Sequence, residues 1–134
     1  MTNPVIHFEI GGRDLGRMTS FYGQLFGWRL RPAGPDYTLV AADDSGPGIG
    51  GGLMQTRGEM TAYVSVYVAV DDLKAMLDRA AELGAKTVVE PTEIPGVGAF
   101  AMFADPDGNV VGLMHQLDMA EPKGAGDEAS ADRR

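Results

Sequence analysis

Residues 63–84 read YVSVYVAVDDLKAMLDRAAELG, and this stretch decides the fold. Val64, Val66, Val68 and Val70 fall on one side of an extended segment, with Tyr63, Ser65, Tyr67 and Ala69 on the other. Asp71 or Asp72 is then placed to cap a helix, because a short acidic side chain accepts from the free N–H groups of a first turn. Leu73, Met76, Leu77, Ala80 and Leu83 recur at helical spacing, and Gly84 ends the run. The segment is therefore strand, cap, helix, stop. Upstream, residues 4–27 (PVIHFEIGGRDLGRMTSFYGQLFG) say the same thing. Pro4 to Ile10 alternate and Asp14 is a cap. Leu15, Met18, Phe21, Tyr22, Leu25 and Phe26 make an apolar helix face, and Gly27 is the stop.

Each helix is followed by short extended runs. After the first come residues 28–31 and 37–42, then a glycine-rich stretch to Gly52 where strand boundaries are hard to place. After the second come 86–90 and 99–104, the turn DPDGN at 105–109, and 110–116. The halves superpose in order. Asp14 answers to Asp72 at an offset of 58, Gly27 to Gly84 at 57, and Gly52-Leu53-Met54 to Gly112-Leu113-Met114 at 60. This predicts an α+β chain of two tandem βαβββ modules, about 4–56 and 61–117. Their strands are expected to form a cupped, open-barrel mixed sheet with helices on the convex side. Residues 1–117 are read as one domain and 118–134, polar and ending EPKGAGDEASADRR, as a disordered tail.

Bulk properties narrow the function. With 134 residues, 44% apolar and 22% charged, the chain suits one globular domain. There is no cysteine, which removes disulfides, thiolate metal sites and cysteine nucleophiles. A net charge of −8 with eleven scattered Lys and Arg argues against nucleic acid. The N-terminus lacks a basic leader or long apolar run, so cytoplasmic residence without a membrane span is expected. No Gly-x-Ser-x-Gly element or phosphate loop is present.

Alternation also predicts the site. The uniformly apolar sets (Ile6, Phe8, Ile10 and the four valines) should cover the helices. The mixed sets should line the hollow side, bringing His7, Glu9, Ser65 and Tyr67 together. His7 and Glu9 are candidate acid and base, with Tyr67 and Ser65 as candidate hydrogen-bond donors. Gly52, Met54, Tyr63, Gly112, Met114 and Trp28 are candidate ligand-binding residues. The two glycines are expected to leave room on the floor. His115 should lie on the other face, at the surface or packed against a helix.

The pieces HFEIGGRDLGRMTSFYGQLFGW, VYVAVDDLKAMLDRAAELGA and FADPDGNVVGLM resemble the vicinal oxygen chelate superfamily. That group takes in glyoxalase I, bleomycin-resistance proteins, fosfomycin-resistance enzymes and extradiol dioxygenases. The resemblance covers nearly the whole chain apart from the tail. It implies a homodimer and, in metal-dependent members, a divalent ion held by the first and last strands of each module. Those positions fall on His7, Gly52, Ser65 and Gly112, of which only His7 is a usual ligand. No metal and no cofactor are therefore expected. The resemblance leaves three readings: a metal-independent protein binding a partly apolar or aromatic small molecule; a metal-independent isomerase, lyase or cyclase using His7 and Glu9; and a divalent-metal lyase or dioxygenase with an incomplete ligand set. Whether the chain is an enzyme stays open at this point.

Overall fold

The computed structural model describes residues 2–42 and 46–116. Its element order is β1 (Val5–Gly12), α1 (Leu15–Phe26), β2 (Leu30–Pro32), β3 (Tyr37–Val40), β4 (Gly50–Gln55), β5 (Tyr63–Ala69), α2 (Leu73–Glu82), β6 (Lys86–Ile94), β7 (Gly98–Ala104) and β8 (Val110–Gln116). This is βαβββ twice over, an α+β chain. The expected tail at 118–134 lies outside the described residues. The chain divides into two compact units between Val68 and Ala69.

In the first unit β1 is central, parallel to β4 on one side and antiparallel to β5 on the other. β3 pairs antiparallel with β4, and β2 with β3. Asp14 caps α1 by accepting from the Arg17 N–H at 3.0 Å. Gly27 ends the helix at φ 70°, a left-handed turn that a side chain would resist. The Gln55 side chain ties the end of β4 to the start of α1: its Oε1 accepts from the Leu15 N–H at 3.0 Å, and its Nε2 donates to the Arg13 carbonyl. One otherwise unpaired N–H of the first helical turn is satisfied in this way.

In the second unit Asp72, not Asp71, is the cap, accepting from the Ala75 N–H at 3.0 Å. α2 packs on β6, β7 and β8 through buried Leu73 and Leu77. The strands run β8-β7-β6, all antiparallel. The DPDGN turn closes on Asp105, whose Oδ1 accepts from the N–H groups of Asp107 and Asn109 at 2.9 and 2.8 Å. β6 reaches Ile94, beyond the expected Glu90. β1 likewise runs to Gly12, two glycines beyond the expected Ile10.

Two packing expectations need correction. The apolar face of α1 is split: Leu15, Met18 and Tyr22 are half-buried, whereas Phe21, Leu25 and Phe26 are more than half exposed. Val64, expected under a helix, is 75% exposed. The reason is placement, since α1 packs over β3 and β4 and leaves Val64, near the start of β5, uncovered.

Candidate functional site

Directly paired residues on neighbouring strands share a face of the sheet. His7 lies opposite Tyr67, Glu9 opposite Ser65 and Gly11 opposite Tyr63. On the other side Glu9 lies opposite Gly52, Gly11 opposite Met54, and Met54 opposite Tyr37. Residues from four strands of the first unit thus meet on one face. Trp28 is on the other: it packs 5.3 Å from Phe8 and stacks on Tyr22 at 5.3 Å, ring centre to ring centre. Phe8 neighbours Glu9 along β1, so its side chain points away from the carboxylate. Gly112 and Met114 belong to the second unit, in β8, where they pair with Met102 and Phe100. His115 is exposed there, with its Nδ1 3.1 Å from the Val70 carbonyl.

Glu9 is the centre of the site and only 5% exposed. A buried carboxylate needs partners, because lost hydration costs several kcal/mol. Three phenols supply them. Tyr37 Oη donates to Oε1 at 2.9 Å and Tyr63 Oη donates to Oε2 at 2.6 Å. Tyr67 Oη is directed at both oxygens at the longer distances of 3.4 and 3.5 Å. Hydrogen bonds to a charged group contribute about 1.5–3 kcal/mol each when well formed. The arrangement continues outward, with His7 Nε2 3.0 Å from Tyr37 Oη and the Tyr67 ring meeting His7 edge-on at 5.7 Å.

Glycines make these contacts possible. A Cβ on Gly52 would lie 1.9 Å from Tyr37 Oη, and one on Gly11 would lie 2.1 Å from the Tyr63 ring. Each glycine is the seat of one tyrosine. Around position 52, then, the volume expected to be open floor is held by the Tyr37 phenol. Neither Tyr37 nor Gly11 stood out in the sequence. Alternation along β3 gives no polarity signal, and the register that sets Tyr37 against Met54 depends on β4, whose start was obscured by the glycine run.

The electrostatics follow from burial. Desolvation pushes all three phenols well above their ordinary value, and the negative charge of Glu9 and its hydrogen bonds push the same way. The phenols are thus held protonated, as donors to Glu9. Desolvation lowers the pKa of His7 below 6.5, and the attraction of Glu9 only partly opposes this. Neutral His7 therefore predominates at pH 7.

A divalent ion would require about three nitrogen or oxygen donors from the protein. Both Glu9 oxygens are turned toward phenols, His7 Nε2 is engaged by Tyr37, and position 52 has no side chain. Ser65 Oγ faces the Val66 carbonyl at 3.4 Å. Among the described residues no three His, Cys, Asp or Glu side chains gather in one group. The donor set of this face does not fit a divalent ion.

Tandem βαβββ order, with a polar cluster on the first strand of the first repeat, defines the architecture as α+β. Residues 5–113 match the Glyoxalase/Bleomycin resistance protein/Dioxygenase superfamily, and the chain belongs to it. It is 28% identical over 123 residues to the anthracycline biosynthesis protein DnrV of Streptomyces peucetius, covering 75% of this chain and 42% of that protein. It is 29% identical over 118 residues to a glyoxylase-like domain-containing protein of Didymella fabae, covering 78% and 91%. The chain thus spans less than half the length of DnrV. Its fold is similar to that of methylmalonyl-CoA epimerase from Mycobacterium tuberculosis, with a TM-score of 0.65 at 19% identity, covering 84% of this chain and 87% of that one. Family membership supports a small-molecule-binding or enzymatic role. No helix among the described residues is long and apolar enough to cross a membrane.

Proposed function

We propose that this chain is a metal-independent small-molecule-binding protein of the glyoxalase/bleomycin-resistance type, holding a partly apolar or aromatic ligand against the His7–Glu9 face. The observation that carries this reading is the tyrosine enclosure of Glu9. A carboxylate with both oxygens occupied by phenols is poorly placed either to ligate an ion or to take a proton from carbon. It is well placed to fix three aromatic rings in position. Tyr37, Tyr63 and Met54 are half-buried, offering a surface that is partly apolar and partly polar. Calorimetric titration with a panel of aromatic small molecules, in chelator, tests it. Saturable binding that Tyr63→Ala weakens at least ten-fold is the expected result; binding only after a divalent ion is added would overturn it.

The second reading, a metal-independent isomerase, lyase or cyclase, draws support from one feature. The chain His7–Tyr37–Glu9 is continuous, so a proton taken at His7 has a path to the buried acid. Turnover in chelator that both His7→Ala and Glu9→Ala abolish would favour it over simple binding. On either reading we place the protein in the cytoplasm as a homodimer, the dimer being supported by exposed Phe21, Leu25 and Phe26 on α1.

A further inference from the structure

The hydrogens of the cluster can be assigned one by one. Each phenol has a single hydrogen, and Tyr37, Tyr63 and Tyr67 all turn theirs toward Glu9. Tyr37 Oη, having donated inward, can only accept from His7, so the hydrogen of neutral His7 lies on Nε2. That leaves Nδ1 as a bare lone pair, and among the described residues no group bonds to it. The phenol oxygens of Tyr63 and Tyr67 keep lone pairs as well. Every hydrogen of the cluster points inward, toward a carboxylate that has no ion-pair partner among the described residues.

From this inventory we infer that the face selects ligands carrying N–H or O–H donors and no negative charge, such as amines, alcohols and phenols, and rejects carboxylates and phosphates. The inference rests on the binding reading above and adds the chemical class of ligand to it. An anionic ligand would find only acceptors on the cluster and would face the charge of Glu9 across a partly desolvated gap. An ammonium or hydroxyl group would satisfy His7 Nδ1 directly. A cation would also gain from the tyrosine rings and from the uncompensated carboxylate.

Four naphthalenes of similar size separate these terms: naphthylmethylamine, naphthalenemethanol, methoxynaphthalene and naphthoate. Titration of the full chain, followed by nuclear magnetic resonance at the His7 and Tyr63 ring signals, should show the amine and the alcohol binding. The ether and the carboxylate should bind at least about ten-fold more weakly, a gap of roughly 1.4 kcal/mol. In Glu9→Gln the preference for amine over alcohol should collapse, because the charge is gone while the shape stays. Should that variant fail to fold, the ranking on the native protein still decides. Naphthoate binding as tightly as the amine would overturn the inference and leave the binding reading standing. If none of the four shifts these signals, both fall together.

Discussion

The two units contain the same tripeptide in the same kind of strand, yet only the first surrounds an acid with phenols, since all four tyrosines lie in it. Gly52-Leu53-Met54 in β4 and Gly112-Leu113-Met114 in β8 both bury their leucine, at 0% and 3% exposure. Opposite Met54 the neighbouring strand places Tyr37, whereas opposite Met114 it places Phe100. The rings differ by one oxygen, and in the first unit that oxygen is what bridges His7 and Glu9. A repeated backbone can therefore carry unrepeated chemistry, and the phenol oxygen at this paired position is one of the differences.

The largest test of this contrast is alkaline. The three phenols are raised above their ordinary value of 10.0, so the native state keeps protons that the unfolded chain releases. Their contribution is fully present below pH 10 and is lost as pH rises beyond it. Phenolate absorbance from these tyrosines should appear together with unfolding and not before it. Ionisation of all three in a still-folded protein would break the contrast. Next in size is Gly52→Ala, which forces the Tyr37 phenol from its seat and should cost about 3 kcal/mol in denaturant melts, in the range of overpacked cores. Adding Tyr37→Ala should cost far less in that background than in the native one, because the displaced ring has already lost its contacts.

Tyr37→Phe gives the first unit the ring that the second already carries. It should cost about 2 kcal/mol, the value of a hydrogen bond to a charged group, without disturbing the seat. An unchanged denaturation midpoint would mean that the oxygen is incidental. The smallest effect belongs to His7. Its pKa is lowered on folding, so the unfolded chain binds a proton that the native state resists. Stability from this source is present above pH 6.5 and declines as pH falls below it. The slope of melting temperature against pH just below 6.5 should flatten in His7→Gln.

Most of the architecture was legible from the sequence because caps, stops and turn residues act locally. Asp14, Gly27, Asp72 and the 105–109 turn do in space what their residue types dictate. Alternation groups His7, Glu9, Ser65 and Tyr67 on one face, and the strands pair His7 with Tyr67 and Glu9 with Ser65, since all four lie on two adjacent strands with clear periodicity. What could not be read was anything set by register across strands. Tyr37 reaches Glu9 from β3 by way of β4, and the glycine run that starts β4 carries no pattern. Trp28 fell on the opposite face for a related reason: it precedes β2, where no alternation yet exists to orient it. The exposed Val64 and Phe21 reflect where α1 comes to rest, which no single segment encodes.

The pairing of a bare backbone position with an aromatic ring has an evolutionary corollary. Gly52 and Tyr37 are sterically coupled, because a methyl group at the first requires a smaller or displaced residue at the second. Diversification of this face would have to proceed through double replacements or through loss of the ring first. Any laboratory library built to retarget the protein should therefore randomise positions 37 and 52 jointly, and positions 11 and 63 likewise.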